Sequence, residues 1–397
     1  MHERINLLAP EVLANPYPYY ARMRRDSPVC QVDPGGLWAV TRHDDILHVL
    51  KNFQLFSSEG LRRLMEPPWL GRNPAARSPL AMDPPQHGRL RALVTRAFGP
   101  HTVARLEPFL RDVTERLMAA MLERREVDFM LALAAPLPAA TMGRLLGIED
   151  NLHSHIKRWS DSLAAVAGVP EADIEWQARI RSSIQEMESS LRQALERSRH
   201  VPGNDLISDL LAARMDGEAL TEAEIIDFLV LLLAAGFETT THLLGNTALM
   251  LADHPEIQER LRGHPTLIPA FVDEVLRYDS PAPGTFRMTT TDIELGGVKL
   301  PPNSLILVLV ASGCHDEACA PDAERFVLER SGPMNFPFGH GIHFCLGASL
   351  ARLEAKVALE TLLSCTRSLS RKAEPLDWVP ALQVRGLAKL AVEVLPA

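Results

Sequence analysis

The sequence predicts a mainly α protein with small β-sheets, folded as a single large domain over residues 1–397 with an α-rich and a β-rich lobe. Three observations predict it. From His87 to about Ala213 the apolar spacing is mostly helical, with interruptions at Pro100, Pro136, Pro138 and Pro170. One capped and almost wholly apolar helix follows. Strand-like alternation is confined to short runs, roughly 1–60, 281–312 and 370–397. No stretch rich in Gly, Ser or charge divides the chain, and no internal repeat is visible.

The elements follow in order. PVCQVD and LWAVTR alternate around the turn PGG, which is a hairpin signal. Ser57 to Pro85 is polar and broken by prolines, so it is loop-rich. The apolar helix begins at Thr221, where Thr221 and Glu224 fit a capping box, each side chain satisfying a backbone N–H of the other. Asp253-His254-Pro255 ends it. A helix that is apolar on nearly all sides belongs in the interior. A shorter helix spans Ile268 to Tyr278, strands are carried by DIELGG and SLILVLVA, and a last helix runs from about Leu346 to Leu363.

Composition excludes several classes. The net charge of −9 argues against nucleic-acid binding, which needs a basic field. Five irregularly spaced cysteines do not make a disulfide framework and fit a cytoplasmic, reducing setting. The N-terminus has no long apolar run of the signal-peptide type. The most apolar run, Phe228 to Phe237, is closed by Asp227 and Glu238, well short of the about 20 residues a membrane span needs.

The chemistry is densest in PFGHGIHFCLGASLAR, residues 337–352. Cys345 lies where a loop becomes a helix. Unpaired amides and the positive end of the dipole favour a thiolate there. Gly339 and Gly341 allow backbone angles that other residues resist. Gly347 removes a side chain where the helix approaches something flat, and Phe338 and Phe344 can shield the sulfur. A cysteine between glycines is more often inert core. Zinc on His340, His343 and Cys345, or on Cys314, His315 and Cys319, lacks the second ligand pair. G-A-S-L-A is only part of a nucleophile elbow.

Phe338 to Gly347, F-G-x-G-x-H-x-C-x-G, resembles the haem-binding loop of the soluble bacterial cytochrome P-450 family of haem-thiolate monooxygenases. The resemblance implies the cytochrome P-450 fold and haem b, with Cys345 as the axial iron ligand. Other segments agree with it. DPPQHGRLR resembles the segment whose His and Arg bind a haem propionate, which implies that role for His87 and Arg91, one helical turn apart. Arg287 and His343 match further propionate-binding positions. E-V-L-R matches the family's E-x-x-R, implying a structural role for Glu274 and Arg277, joined by Arg325 from DAERF. AAGFETT resembles the oxygen-activation segment: Ala235 and Gly236 leave space beside the haem, while Thr239 and Glu238 relay protons.

The resemblance further implies a substrate wall drawn from Arg62 to Leu80, the helices around Ser160 to Ile180, and Leu232, Ala235, Ala282, Pro283, Thr285, Phe286 and Leu387. Most of these are apolar, which suits a lipophilic small molecule of secondary metabolism. The implied reaction is insertion of one atom of O2 into a C–H bond, by hydroxylation or epoxidation. The chain carries no flavin or iron–sulfur region, so it calls for a ferredoxin and an NAD(P)H-dependent ferredoxin reductase. Arg89, Arg96, Arg352 and Lys356 are candidates for a basic docking patch. A monomer without a membrane span is expected. A peroxide-using or oxidative-coupling haem-thiolate enzyme is the alternative, with a haem sensor and a cysteine hydrolase beyond it. One departure stands out: Gly313 and Cys314 occupy positions where bacterial members usually carry Asn and Arg, which puts nearby contacts in doubt.

Overall fold

The structure is a computed structural model that describes residues 4–203, 205–215, 217–320, 322–330 and 336–397. The chain divides into two compact units. The first comprises Met1–Ser57, Arg111–Pro136 and Thr239–Ala397, and the second comprises Ser58–Leu110 and Leu137–Glu238.

The first unit is built on a five-stranded sheet. The hairpin pairs Val29–Val32 with Leu37–Val40, Val29 opposite Val40. Leu37–Val40 then pairs in parallel with Leu305–Val308, and that strand runs antiparallel to Thr285–Thr289. Phe56–Ser57 completes the sheet at its far edge. One face packs Val29, Val40, Ile46, Phe56, Ile306 and Val308 into a buried cluster. The other covers Val32, Ala39 and Leu307 with Leu7, Val12, Tyr20 and Met23 from the N-terminal segment. The two faces alternate along each strand, as the pleat requires. SLILVLVA is strand only to Val308, and Val310–Cys314 turns helical.

In a second sheet the central strand Ala391–Pro396 pairs antiparallel with Thr366–Arg371 on one side and with Glu126–Asp128 on the other. The last of these lies outside the expected strand-rich ranges, because three residues are too few to display a period of two. Helices Ile268–Tyr278 and Ala348–Cys365 belong to this unit.

The second unit is helical apart from the small pair Arg214–Met215 with Glu218–Ala219 among its described residues. Its helices include Gln86–Ala97, Pro136–Leu145, His153–Ala165 and Ile174–His200. Ser57 to Pro85 forms short turns, as its prolines predict.

The apolar helix runs Glu222–Asp253, 32 residues. Its capping box is formed: the Thr221 N–H donates to Glu224 Oε2 at 2.8 Å and the Glu224 N–H to Thr221 Oγ1 at 3.2 Å. Phe228, Leu229, Val230 and Leu233 are buried. Among the described residues no helix is long and apolar enough to cross a membrane.

Candidate active site

The cysteine loop owes its shape to two glycines and three backbone hydrogen bonds. Gly339 and Gly341 sit at φ +74° and +71°, where a side chain is strained. At Gly341 an added Cβ would also lie 2.9 Å from the Leu50 carbonyl oxygen. The Gly339 N–H donates to Phe336 O at 2.7 Å, Phe344 N–H to Gly341 O at 3.1 Å, and Cys345 N–H to Phe338 O at 2.9 Å. Cys345 is thereby held, exposed, between the turn Gly341–His343 and the helix that starts at Ala348. At Gly347 the backbone is ordinary, and a Cβ would meet nothing nearer than Cys345 Sγ at 4.0 Å. Nothing among the described residues therefore requires a glycine there. The ring of Phe338 is half-buried beneath the Arg352 guanidinium at 4.4 Å, but Phe344 is 47% exposed, so the expected shielding by both rings is only partial within the chain.

The loop brings Phe338, Gly339, His343, Cys345 and Gly347 together. Arg287 comes from a separate strand of the same unit, opposite Ile306. It is buried and donates to Phe286 O at 2.6 Å. His87 and Arg91 lie on the second unit's helix Gln86–Ala97, with His87 buried at 2% exposure and Arg91 half-buried. His87 and Arg287 are each a buried basic side chain set on a regular element, the kind of group that pairs with a carboxylate.

Glu238 and Thr239 are half-buried in the long helix. Burial pushes the Glu238 carboxyl up to about 7; the negative charge of Asp161 adds to the shift and Lys157 opposes it. Ala235 is exposed on this helix. Gly236 behaves differently. A Cβ there would lie 2.8 Å from Met142 Sδ, so this glycine lets the long helix pack closely against Met142 inside the second unit.

The Glu274–Arg277 pair is buried, each residue at 4% exposure. Arg277 donates through Nε to Glu274 Oε2 and through Nη2 to Oε1, both at 2.8 Å. The third member is Arg330, and the expectation of Arg325 is corrected. Arg330 Nε lies 3.2 Å from Glu274 Oε1, whereas Arg325 is exposed and offers only its carbonyl, which accepts from Arg277 Nη2 at 2.8 Å. The reason is local. The Val327 N–H donates to Glu274 Oε1 at 2.8 Å, so the turn after Phe326 carries Arg330 onto the carboxylate. Two arginines five residues apart look alike in sequence, and only the turn distinguishes them.

The unusual Gly313-Cys314 does not break this framework. A Cβ on Gly313 would lie 2.9 Å from both Ile46 and Phe336, and Cys314 contributes its carbonyl to Arg277 Nη1 at 2.9 Å. Burial pushes the Cys314 thiol up to about 12 and the neighbouring His315 down to about 3. His315 is stacked on Tyr17 at 4.2 Å between ring centres. These are core residues, and among the described residues no cluster suits a metal ion.

The expected substrate wall divides. Phe286 packs into the cluster of Leu7, Val12 and Leu307, which corrects its assignment to a pocket. Strand alternation explains the error, since Arg287 and Phe286 are adjacent and point to opposite faces. Pro283, Leu387 and Leu232 are buried, while Ala282 and Thr285 are half-buried. Beside Leu387, the ring of His242 lies so close to Gly386 that a Cβ would fall 2.1 Å from Nδ1.

The basic candidates all have partners. Arg89 is held by Glu218 and Glu224, each at 2.6 Å, and Arg96 donates to Arg214 O at 3.2 Å. Arg352 Nε lies 2.7 Å from Asp273 Oδ1, and Lys356 lies 3.7 Å from Glu360.

Comparison with known proteins agrees with this geometry. The model of the cytochrome P450 family matches residues 174–375. Cytochrome P450 109 of Bacillus spizizenii is 38% identical over 388 residues, covering 96% of this chain and 92% of that protein. The erythromycin C-12 hydroxylase of Saccharopolyspora erythraea is 39% identical over 344 residues, covering 86% and 85%. The solved structure of cytochrome P450 CYP109Q5 from Chondromyces apiculatus superposes with a TM-score of 0.91 at 39% identity, covering 100% of both chains. The mainly α arrangement with small sheets is thus the cytochrome P450 fold, and the chain belongs to the cytochrome P450 family of haem-iron monooxygenases.

Proposed function

We propose that the protein inserts one oxygen atom from O2 into a C–H bond of a lipophilic small molecule, by hydroxylation or epoxidation. Its cofactor is haem b, and its electrons come from a ferredoxin and an NAD(P)H-dependent ferredoxin reductase. The observation that carries this reading is Cys345, exposed at the entry to an 18-residue helix and held by a loop with two left-handed glycines.

The residues fit the cofactor. Cys345 would hold the iron through its sulfur. His87, Arg91, Arg287 and His343 would hold the propionates with charge-assisted bonds, each worth about 1.5–3 kcal/mol. Gly347, which the chain's own packing leaves free to be larger, keeps the surface beside the sulfur flat for a planar ring. When bound, haem supplies the metal at which dioxygen is activated, with the thiolate favouring O–O cleavage.

The chain's own contribution is proton handling and positioning. With its carboxyl pushed up to about 7, Glu238 can hold or release a proton at neutral pH. Thr239, next in the helix, offers a hydroxyl that passes it on. This supports ordinary oxygen chemistry over a peroxide-only enzyme, since a peroxide already brings its protons. Leu232, Ala282, Pro283, Thr285 and Leu387, with the segment Arg62 to Leu80, would shape an apolar site. The naming of a relative for hydroxylation of erythromycin supports a lipophilic substrate. The reading takes residues 1–397 as one domain, acting as a cytoplasmic monomer. The five cysteines form no disulfide, which suits a reducing compartment.

The test is spectroscopic. The purified protein, reduced and given carbon monoxide, should show the red-shifted band of a thiolate-ligated haem. Cys345→His should abolish that band while the protein stays folded. A wild-type protein that binds haem without the band would overturn the assignment of Cys345.

A further inference from the structure

The segment 59–82 has no long helix and no strand. It is made of four short turns, Glu59–Leu61, Arg62–Met65, Pro74–Arg77 and Pro79–Ala81. Side chains hold it together in place of a backbone ladder. Glu66 is the staple: it accepts from Arg62 Nε at 2.8 Å, from Arg77 Nε at 2.7 Å and from the Asn73 N–H at 3.2 Å. Asn73 Nδ2 adds a bond to Met65 O at 2.9 Å. The two ends of the segment meet, since the Ser58 N–H donates to Asp83 Oδ1 at 3.0 Å. A loop stapled inside and pinched at its base is a compact block.

Two arginines tether this block to its neighbours in the second unit. Arg181, on helix Ile174–His200, donates to Trp69 O at 2.7 Å. Arg72 spans two helices. Its Nη1 donates to Glu188 Oε1 at 2.6 Å on Ile174–His200, and its Nη2 donates to Asp227 Oδ1 on the long helix. One planar guanidinium thus closes the block against both helices. Asp227 lies five residues before Leu232 on that helix.

We propose that Arg72 is the gating residue for substrate exchange: its fork onto Glu188 and Asp227 latches the stapled segment 59–82, and the segment swings on the Ser58–Asp83 pinch when that fork lets go. The inference rests on the proposed function, in which this segment walls the substrate site. Arg72 is a positioning residue that acts through the block it holds and takes no part in the chemistry.

The latch is built to open. The Asp227 side chain is only 8% exposed. Burial pushes its carboxyl up to about 6, against the opposing pull of Arg72 and with Glu188 adding to the rise and Arg77 lowering it. Desolvation therefore takes back much of what the ion pair contributes. Protonation of Asp227 removes one of the two charges that hold Arg72. The groups that face Asp227 are Arg72 and Arg77 from the segment and Glu188 from helix Ile174–His200.

The test uses the haem-loaded enzyme and 4-phenylimidazole, a small azole whose binding to haem iron shifts the Soret band whatever the natural substrate. Stopped-flow mixing reads its entry, and displacement by carbon monoxide after reduction reads its exit. Arg72→Ala and Asp227→Asn should each speed both steps by about tenfold, the effect of losing one charge-assisted bond, with a smaller change in the equilibrium constant. Arg72→Lys keeps the charge but not the fork and should fall between. Wild-type rates should rise as the pH falls through about 6, while Asp227→Asn should be flat across that range. Asp227→Asn is nearly isosteric, so it decides the matter even if Arg72→Ala fails to fold. Equal rates in wild type and Asp227→Asn, with the same pH profile, overturn the latch alone. A folded protein with no Soret response to the azole overturns the haem-site reading and the latch with it.

Discussion

Arg330 Nε lies 3.2 Å from Glu274 Oε1, so one buried carboxylate serves two arginines and a backbone amide. Removing the carboxylate leaves the Arg277 guanidinium buried without its anion. Glu274→Ala should therefore cost about 3–5 kcal/mol. Arg330→Ala leaves the Glu274–Arg277 pair in place and should cost about 1–3 kcal/mol. Arg325→Ala keeps the carbonyl that matters and should stay within about 0.5 kcal/mol. Urea unfolding of the three variants checks the order, and an Arg325 effect larger than that of Arg330 contradicts it.

Glu238 makes a prediction about pH. Its carboxyl is pushed up to about 7 in the folded protein against an ordinary 4.5. Between those values the folded state keeps a proton that the unfolded state has lost, so this group's contribution to stability falls as the pH rises and levels off above about 7. Glu238→Gln is neutral throughout and should gain stability relative to wild type over the same interval. Its O2-driven turnover should drop by about 10²-fold or more, because a positioned proton donor is lost. Thermal unfolding across pH and product formation read the two effects separately.

Gly347 separates folding from cofactor capture. A Cβ would meet only Cys345 Sγ at 4.0 Å, and the backbone is at φ −83°. Gly347→Ala should leave the secondary structure and the stability of the haem-free chain unchanged. In the proposed haem site the same methyl would face the planar ring, so haem affinity should fall by about tenfold or more, the scale of overpacking a close contact. Titration with hemin measures this, and equal affinity would show that the surface beside the sulfur is not the haem surface.

The expected docking patch narrows to Lys356. Charge reversal at Arg352 would set a carboxylate beside Asp273 and remove the cation from the Phe338 ring, so that variant confounds docking with loop stability. Lys356 is 3.7 Å from Glu360 and makes a cleaner test. Lys356→Glu should lower ferredoxin-driven turnover by about 2–10-fold and reduce its dependence on salt, since exposed charges act mainly on association rate. Peroxide-driven turnover should not change. Equal losses in both assays would remove Lys356 from the docking surface.

Much of the site was legible in the chain because its chemistry is local. The cysteine loop, the capping box at Thr221 and Glu224, and the helix Ile268–Tyr278 each depend on residues within a few positions of one another. Where partners are distant, the sequence was silent or misleading. Arg325 and Arg330 are equivalent as letters, yet only a turn pinned by the Val327 N–H decides which one reaches Glu274. Gly236 seats Met142, a contact that nothing near it in the chain announces. Phe286 reads as pocket wall but packs, half-buried, against the cluster of Leu7 and Leu307, because the pleat sends it away from Arg287.

By itself, the order of residues determined the cysteine loop, the helical and strand periods, and hence the family to which the chain belongs. Tertiary structure alone decided which arginine shares the buried carboxylate, which glycine is required by a neighbouring side chain, and which basic residues already have acidic partners. The physical reason is range. Backbone angles, caps and periodicity act over a few residues, whereas desolvation, ion pairing and close packing depend on groups that the fold brings together from far along the chain.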